Sequence, residues 1–175
     1  MIACVDVQYR DSAADPADPA DPPARAAIVV FDSWAAPSPI AKRTVLVAKV
    51  EPYTSGSFYL RELPCILEAL GVLPSLPEIV IVDGHAWLGA NVAGLGARLL
   101  AVEPRLRTVV GVAKTRFRHS PAVEVLRGAS KVPLFVDEAG DPIDAPLCVA
   151  AMHGRFRIPT MLRLVDRLCR GLEAP

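Results

Sequence analysis

The pattern of apolar positions arranges the chain around one central strand. Residues 79–82 are four consecutive β-branched residues, a run that is typical of a strand buried on both faces in the middle of a sheet. Asp83-Gly84-His85 follow at once, so a carboxylate stands where open α/β sheets hold their sites, at the carboxyl end of a strand. A simple strand-ending turn is the alternative interpretation of an isolated Asp-Gly. The run predicts the centre of the sheet and makes Asp83 a candidate catalytic residue.

The amino-terminal part of the chain predicts three strands in succession. They cover residues 2–9, 26–32 and 44–50, and their order favours an antiparallel meander at the start of a mixed sheet. A tandem Asp-Pro-Ala repeat lies between the first two strands. Because proline at this density removes backbone donors, we expect residues 10–25 to form an exposed, mobile hairpin tip.

Later segments alternate between helical and strand patterns. Apolar residues recur at helical spacing from Leu63 to Leu70, with Pro64 in the first turn of the predicted helix and Gly71 at its end. The other predicted elements are a Gly/Ala-rich helix over 92–102, a buried strand over 107–113, a hairpin of 133–137 with 146–150, and a last helix over 159–170. This order predicts one α/β domain over residues 1–175, with a mixed sheet flanked by helices, compatible with a ribonuclease H-like sandwich.

Composition and charge narrow the classes of protein. The chain has 175 residues, 52% of them hydrophobic, but no apolar stretch approaches the roughly 18 residues of a membrane span. We therefore expect a soluble, cytoplasmic monomer, with its four scattered cysteines reduced in the core. Nineteen basic and nineteen acidic residues cancel, yet twelve Lys/Arg against seven Asp/Glu follow Pro104. The basic segment 114–119 could therefore carry a phosphate-facing surface.

Three carboxylates form the candidate reactive group. Asp6 lies in the first strand, Glu62 at a helix start and Asp83 at the end of the central strand. Carboxylate oxygens are the ligands that Mg²⁺ prefers, and close carboxylates repel each other unless a cation neutralises them. For Glu62 alone, a solvated carboxylate that complements the helix dipole is an equal alternative. If the substrate is a nucleic acid, the three together predict metal-assisted phosphodiester hydrolysis.

Five motifs occur in an order and spacing that match a known family. They are Cys4-Val5-Asp6-Val7, the segment 52–62 (PYTSGSFYLRE), Val82-Asp83-Gly84-His85, Gly111-Val112-Ala113-Lys114 and the segment 146–153 (PLCVAAMH). Over nearly its whole length the chain resembles endonuclease V, a family that cleaves nucleic acid near deoxyinosine. The resemblance implies a metal-dependent endonuclease of DNA repair, with Mg²⁺ as cofactor, Mn²⁺ as an alternative, and nucleic acid as partner.

The same resemblance implies catalytic roles for the matching residues. Asp6 and Asp83 would ligate the metal directly, and Glu62 would hold a metal-bound water. Lys114 and His153 would lie beside the scissile phosphate or the attacking water.

Further matching positions imply how the damaged base is held. Tyr53 would be a wedge that fills the gap left by the extruded base. Backbone around Gly56, Phe58, Gly84 and Leu95 would line the pocket for hypoxanthine, and glycine suits this role because no side chain blocks approach to the base edge.

Three departures from the family pattern keep other functions open. Gly89-Ala90-Asn91 stand where the family has a second histidine with proline and arginine, Ser55 replaces a proline of the wedge loop, and Met152 replaces the glycine before the last histidine. The alternatives are a noncatalytic module that binds inosine or nucleic acid, and an endoribonuclease acting on inosine-containing RNA.

Overall fold

The computed structural model of the chain describes residues 1–10, 23–52 and 58–172. Its strands are β1 (Ile2–Tyr9), β2 (Ala24–Phe31), β3 (Ala41–Val47), β4 (Ile79–Asp83), β5 (Trp87–Gly89), β6 (Val92–Ala93), β7 (Thr108–Ala113), β8 (Val123–Val125) and β9 (Leu134–Gly140). Its helices are α1 (Phe58–Gly71), α2 (Leu95–Val102), α3 (Ala145–Ala150) and α4 (Thr160–Cys169). Most of residues 10–25, the predicted hairpin tip, lies outside the described residues.

Seven of these strands form one mixed sheet in the order β3-β2-β1-β4-β7-β9-β8. The first three strands pair antiparallel, as the meander prediction requires. β4 lies in the middle and pairs in parallel with β1 and β7, and its Val80, Ile81 and Val82 are buried. Both faces of these residues are covered, and burial contributes about 25 cal/mol of stabilising free energy per Å² of apolar surface removed from water. This explains why the run contains no polar residue.

The two faces of the sheet are covered by different helices. Val80 and Val82 belong to the apolar cluster that includes Ile66 of α1 and Leu99 of α2. Ile81, between them, belongs to the cluster that includes Val165 of α4. Because successive strand residues point to opposite faces, this alternation directs the next odd-numbered residue of β4, Asp83, towards the α4 side. The expected mixed sheet flanked by helices is confirmed.

The prediction of a strand over 146–150, paired with 133–137, is wrong. These residues form α3, whose buried Ala145 and Val149 lie four positions apart on one helical face. The Glu138 carboxylate accepts the backbone N–H groups of Ile143 and Ala145 and so fixes the entry to the helix. β9 pairs instead with β7 and with β8, a three-residue strand that the pattern did not predict.

Two predicted helices differ in where they begin. α1 already includes Phe58, so Pro64 lies in its second turn rather than its first. α2 begins at Leu95, because Val92 and Ala93 pair with β5 in a small hairpin. Cys4, Cys65 and Cys169 are buried as expected, whereas Cys148 is only half-buried, and the reduced state of the four thiols stays a prediction. Within the described ranges, each helix is too short or too polar to cross a membrane.

Candidate metal and nucleic-acid site

Three predicted carboxylates and a lysine meet at one edge of the sheet. Val5 of β1 is in register with Val82 of β4, so the residues that follow them, Asp6 and Asp83, lie side by side. Asp6, Glu62, Asp83 and Lys114 line one recess of about 300 Å³, which we call the acidic recess. Parallel pairing of β1, β4 and β7 brings the ends of these strands to the same edge, and α1 contributes Glu62 from above it.

Lys114 is the cation of the acidic recess. Its Nζ lies 2.6 Å from Asp83 Oδ2, at side chains that are both partly exposed. Partial burial acts to lower the pKa of Lys114, but the hydrogen bond and charge of Asp83, with the charge of Asp6, raise it overall. The ammonium group therefore stays protonated and neutralises Asp83.

Among the described residues, neither Asp6 nor Glu62 forms an ion pair like that of Asp83, and the charge of Lys114 on Asp6 and of Arg61 on Glu62 is outweighed by burial and by the neighbouring carboxylates. Burial, and then the charge of Asp83, raise the pKa of Asp6 to about 6. Burial, and then the charges of Asp6 and Asp83, raise the pKa of Glu62 to about 8. The Tyr9 hydroxyl donates to Glu62 Oε1 at 3.4 Å, and the backbone N–H of Val7 donates to Asp6 Oδ1 at 2.8 Å. These bonds orient the carboxylates without removing their repulsion.

The donor set suits a hard divalent cation, although the side chains do not enclose one as they stand. Among the described residues, no group of three His, Cys, Asp or Glu side chains is arranged to hold a metal ion. The carboxylate oxygens of Asp6, Glu62 and Asp83 nevertheless face one recess, and a cation there would relieve the repulsion that raises the pKa of Asp6 and of Glu62. The residues thus fit a metal such as Mg²⁺.

The structure adds a fourth carboxylate, Asp166 of α4, that sequence reasoning missed. Asp166 and Arg170 line the acidic recess, and the charge of Asp166 contributes to the raised pKa of Asp6. Arg170 Nε donates to Asp166 Oδ1 at 3.0 Å. One signal could have identified it: Asp166 is an acidic residue on the polar side of a helix whose apolar residues, Met161 and Val165, pack against the sheet.

His153 is not brought to these carboxylates. It is exposed, its Nδ1 lies 3.0 Å from Thr160 Oγ1, and its backbone N–H donates to the carbonyl of Trp34. Among the described residues that line the acidic recess, α4 supplies Asp166 and Arg170, and His153 is absent. Its proposed place beside the phosphate stays a prediction without support from this geometry.

A second recess, of about 350 Å³, adjoins the first and is referred to below as the loop recess. Its lining includes Gly84, His85, Thr115, Arg116 and Phe117, and it shares Asp83 and Lys114 with the acidic recess. It lies between the turn after β4 and the loop after β7. Main-chain groups of both segments are therefore available to a flat ligand.

The predicted base-pocket residues divide among several places. Gly84 lines the loop recess, and Leu95 packs beside it, since a Cβ at Gly84 would lie 3.6 Å from Leu95 Cδ2. Phe58 lines the acidic recess instead, with its ring edge-on to Tyr9. Tyr53 and Gly56 lie outside the described residues.

Asp137 of β9 fastens the turn after β4. Its two carboxylate oxygens accept the backbone N–H groups of Ala86 and Trp87, each at 2.8 Å. The backbone approaches so closely that a Cβ at Gly111 would lie 2.3 Å from the Ala86 nitrogen and 2.4 Å from Asp137 Oδ1. Glycine is therefore required at position 111, and the matched Gly111–Lys114 motif has a packing reason.

His85 joins the two walls of the loop recess. Its Nε2 accepts the backbone N–H of Phe117 at 3.1 Å, and its Nδ1 lies 3.1 Å from Ser120 Oγ. The imidazole is buried beneath the loop that follows Lys114. We interpret His85 as a residue that positions the loop, in line with its position directly after Asp83 and Gly84.

The cations of segment 114–119 are only partly available to phosphates. Arg116 pairs with Glu124 at 3.2 Å, whereas Arg118 is exposed. Arg157 donates to the carbonyls of Lys114 at 2.6 Å and Pro133 at 2.7 Å, so it supports the lysine from behind. The predicted phosphate-facing surface is therefore smaller than a count of its charges suggests.

Comparison with known proteins identifies close similarity to one family. The family described as Endonuclease V matches residues 1–150. An Endonuclease V from Azotobacter vinelandii is 30% identical over 190 residues, covering 96% of this chain and 81% of the relative. One from Streptomyces avermitilis is 32% identical over 168 residues, covering 83% and 72% respectively.

Solved structures agree with the fold. The crystal structure of the Streptomyces avermitilis Endonuclease V has a TM-score of 0.74 and 29% identity, covering 97% of this chain and 79% of that one. The Ciona intestinalis Endonuclease V, solved in complex with a 24mer DNA containing an inosine followed by a ribo-adenosine, has a TM-score of 0.76 and 18% identity, covering 97% and 84%. The predicted ribonuclease H-like fold class is confirmed by these likenesses.

Proposed function

The chain belongs to the endonuclease V family, and from the geometry of its site we propose a Mg²⁺-dependent endonuclease that cleaves DNA near deoxyinosine. The observation that carries this proposal is the convergence of Asp6, Glu62, Asp83 and Lys114 on one recess. Structural carboxylates are ordinarily paired, whereas the buried Glu62 and the half-buried Asp6 lie together at a cost in repulsion. We propose further that the protein acts as a cytoplasmic monomer.

In this proposal each carboxylate of the acidic recess has a task. Asp6 and Asp83 would hold the divalent cation, and Glu62, oriented by the Tyr9 hydroxyl, would hold a water molecule. A bound Mg²⁺ would polarise a phosphoryl oxygen and make its water a better nucleophile. Asp166 adds negative charge next to Asp6, which favours cation binding from the α4 side.

Lys114 has two partners at different stages of the proposed reaction. Without substrate it pairs with Asp83 at 2.6 Å. With substrate bound, the ammonium group would contact the scissile phosphate, where it would stabilise the charge that develops on the oxygens. Arg157 donates to the Lys114 carbonyl and so supports the backbone from which the lysine side chain extends.

We propose that the loop recess receives the extruded hypoxanthine. The Ciona intestinalis relative was solved with inosine-containing DNA, and this chain offers a recess of about 350 Å³ beside Asp83 and Lys114. Gly84 exposes backbone to a base edge, Phe117 offers a ring, and His85 holds the two walls together. Extrusion costs a few kcal/mol of unstacking, which Tyr53 would offset as a wedge.

The test is cleavage of labelled oligonucleotides by the purified protein. Inosine-containing DNA should be cut in Mg²⁺, while the same strand with guanine in place of hypoxanthine, or with EDTA added, should stay intact. Binding of the inosine strand without cleavage would identify a noncatalytic module instead. Cutting of inosine-containing RNA but not DNA would identify an endoribonuclease.

A further inference from the structure

A cleft on the far side of α4 combines cations with an apolar floor. It has a volume of about 350 Å³ and is lined by Ser38, Pro39, Lys42, Arg163, Leu164 and Arg167, among others. Within the described part of the chain, no carboxylate lines it. In a protein with 19 basic and 19 acidic residues, Lys42 and Arg163 give this cleft a local excess of positive charge.

Lys42 and Arg163 are both available to bind an external partner. Lys42 lies on the edge strand β3 and is exposed, and among the described residues neither it nor Arg163 forms an ion pair with a carboxylate. Arg163 is exposed as well, and its guanidinium carbon lies 4.8 Å from the centre of the Phe156 ring. The ring limits the positions of the guanidinium without neutralising it, so its hydrogen-bond donors stay available.

Arg163 also connects this cleft to the site already described. On the other side of α4 it borders a cavity that is lined by Asp6, Asp83, Lys114 and Asp166. Thr160, in the first turn of α4, lines the cationic cleft. The rise from Thr160 to Asp166 along the helix is about 9 Å. Arg163 lies only three residues, about 4.5 Å of helical rise, from Asp166, so the cleft adjoins the acidic recess along α4.

From these observations we propose that the cleft binds the sugar–phosphate backbone of the nucleic acid beyond the cleaved bond. This inference rests on the proposed function. Lys42 and Arg163 contact phosphate oxygens, and Pro39 and Leu164 contact the sugar. Because phosphate contacts position a strand without reading its sequence, the cleft contributes affinity and register but no preference for inosine.

The test measures how the effect of a substitution in the cleft depends on the length of the bound strand. Dissociation constants are measured for inosine-containing single strands that end close to the cleaved bond or extend several nucleotides past it, on either side. All proteins carry Asp83→Ala to prevent cleavage. Lys42→Ala should weaken binding of the strand that is extended on one side by about three- to tenfold, and should reduce its salt slope by about 0.7. Strands that are too short to reach the cleft should bind equally well with and without Lys42→Ala. Equal binding of these strands would also show that the variant is folded.

Arg43→Ala is the matched control. Arg43 is the next residue of β3, equally exposed, but its side chain points to the opposite face of the sheet. It should leave the binding of every strand unchanged, and Lys42→Arg should restore the binding of the long strand. Equal effects of Lys42→Ala and Arg43→Ala, or an effect of Lys42→Ala that is the same for short and long strands, would overturn the proposed cleft while leaving the proposed function intact. If no inosine-containing strand binds at any length, both proposals fail.

Discussion

Asp137 and Glu62 are both buried carboxylates, 7% and 8% exposed, yet their surroundings differ in kind. Burial raises the pKa of both, but the N–H groups of Ala86 and Trp87 act to lower the pKa of Asp137. For Glu62, the charges of Asp6 and Asp83 instead add to the effect of burial. The first carboxylate stabilises a turn, whereas the second destabilises the protein until a cation arrives. Two backbone donors at Asp137, against neighbouring negative charges at Glu62, therefore distinguish these two acids where burial alone cannot.

The largest effect should come from removing the aspartate that serves both recesses. Asp83→Ala takes a proposed metal ligand from the end of β4 without altering its packed residues, so cleavage of inosine-containing DNA should fall by about a thousandfold or more. The melting temperature without metal should not fall, because the substitution removes one of the neighbouring carboxylates whose charges repel each other. Rates are measured in single-turnover assays. Undiminished cleavage by the variant would remove Asp83 from the mechanism.

The same chemical change should have opposite effects at the two buried acids. In Asp137→Asn an amide NH₂ group must face one of the N–H groups that the carboxylate accepted, so the free energy of unfolding should decrease by about 1–3 kcal/mol. Glu62→Gln removes a repelled charge and should raise the stability of the metal-free protein at pH 8. Urea unfolding in EDTA measures both. A loss of stability in both variants would contradict the distinction between the two acids.

Binding of Mg²⁺ should depend on pH because its ligands must lose protons. The pKa of Asp6 is about 6 and that of Glu62 about 8 in the metal-free protein, both above their ordinary values. Their protonated forms are favoured by folding, so stability without metal should decrease as pH rises from about 4 to 8. Affinity for Mg²⁺ should increase from pH 6 to pH 8, as measured by calorimetry. In Glu62→Gln the increase above pH 7 should be smaller, and an identical pH profile would exclude Glu62 from the cation site.

The smallest effect should come from a cation that lies outside the surroundings of both Asp137 and Glu62. Arg118 is exposed, so Arg118→Ala should reduce the salt slope of binding to single strands by about 0.7 and leave the preference for inosine unchanged. Arg116→Ala is the comparison, because Arg116 already pairs with Glu124 and should contribute less. Equal slopes for both variants and for the unaltered protein would show that the loop after β7 does not contact phosphates.

The sequence correctly predicted those elements whose residue pattern is compatible with only one kind of secondary structure. The β-branched run of β4 and the carboxylates at the strand ends are local signals, and the structure places them together as expected. The strand predicted over 146–150 failed because a short apolar run does not distinguish strand from helix, and the contacts of Glu138 with the start of α3 are not visible in the local pattern. Asp166 was missed because the periodicity of α4 predicts its buried face but not which polar residue meets Asp6.

The contact between β1 and α4 has a consequence for how the protein is made. Cys4 Sγ donates to the carbonyl of Met161, 157 residues along the chain, and Asp166 comes to Asp6 on the same helix. At about 5–20 residues per second, a ribosome adds α4 roughly 8–30 s after β1. A nascent chain therefore carries Asp6, Glu62 and Asp83 for many seconds without the helix that covers them. On the proposed function, the nuclease site is therefore incomplete until α4 has been synthesised and has packed against β1.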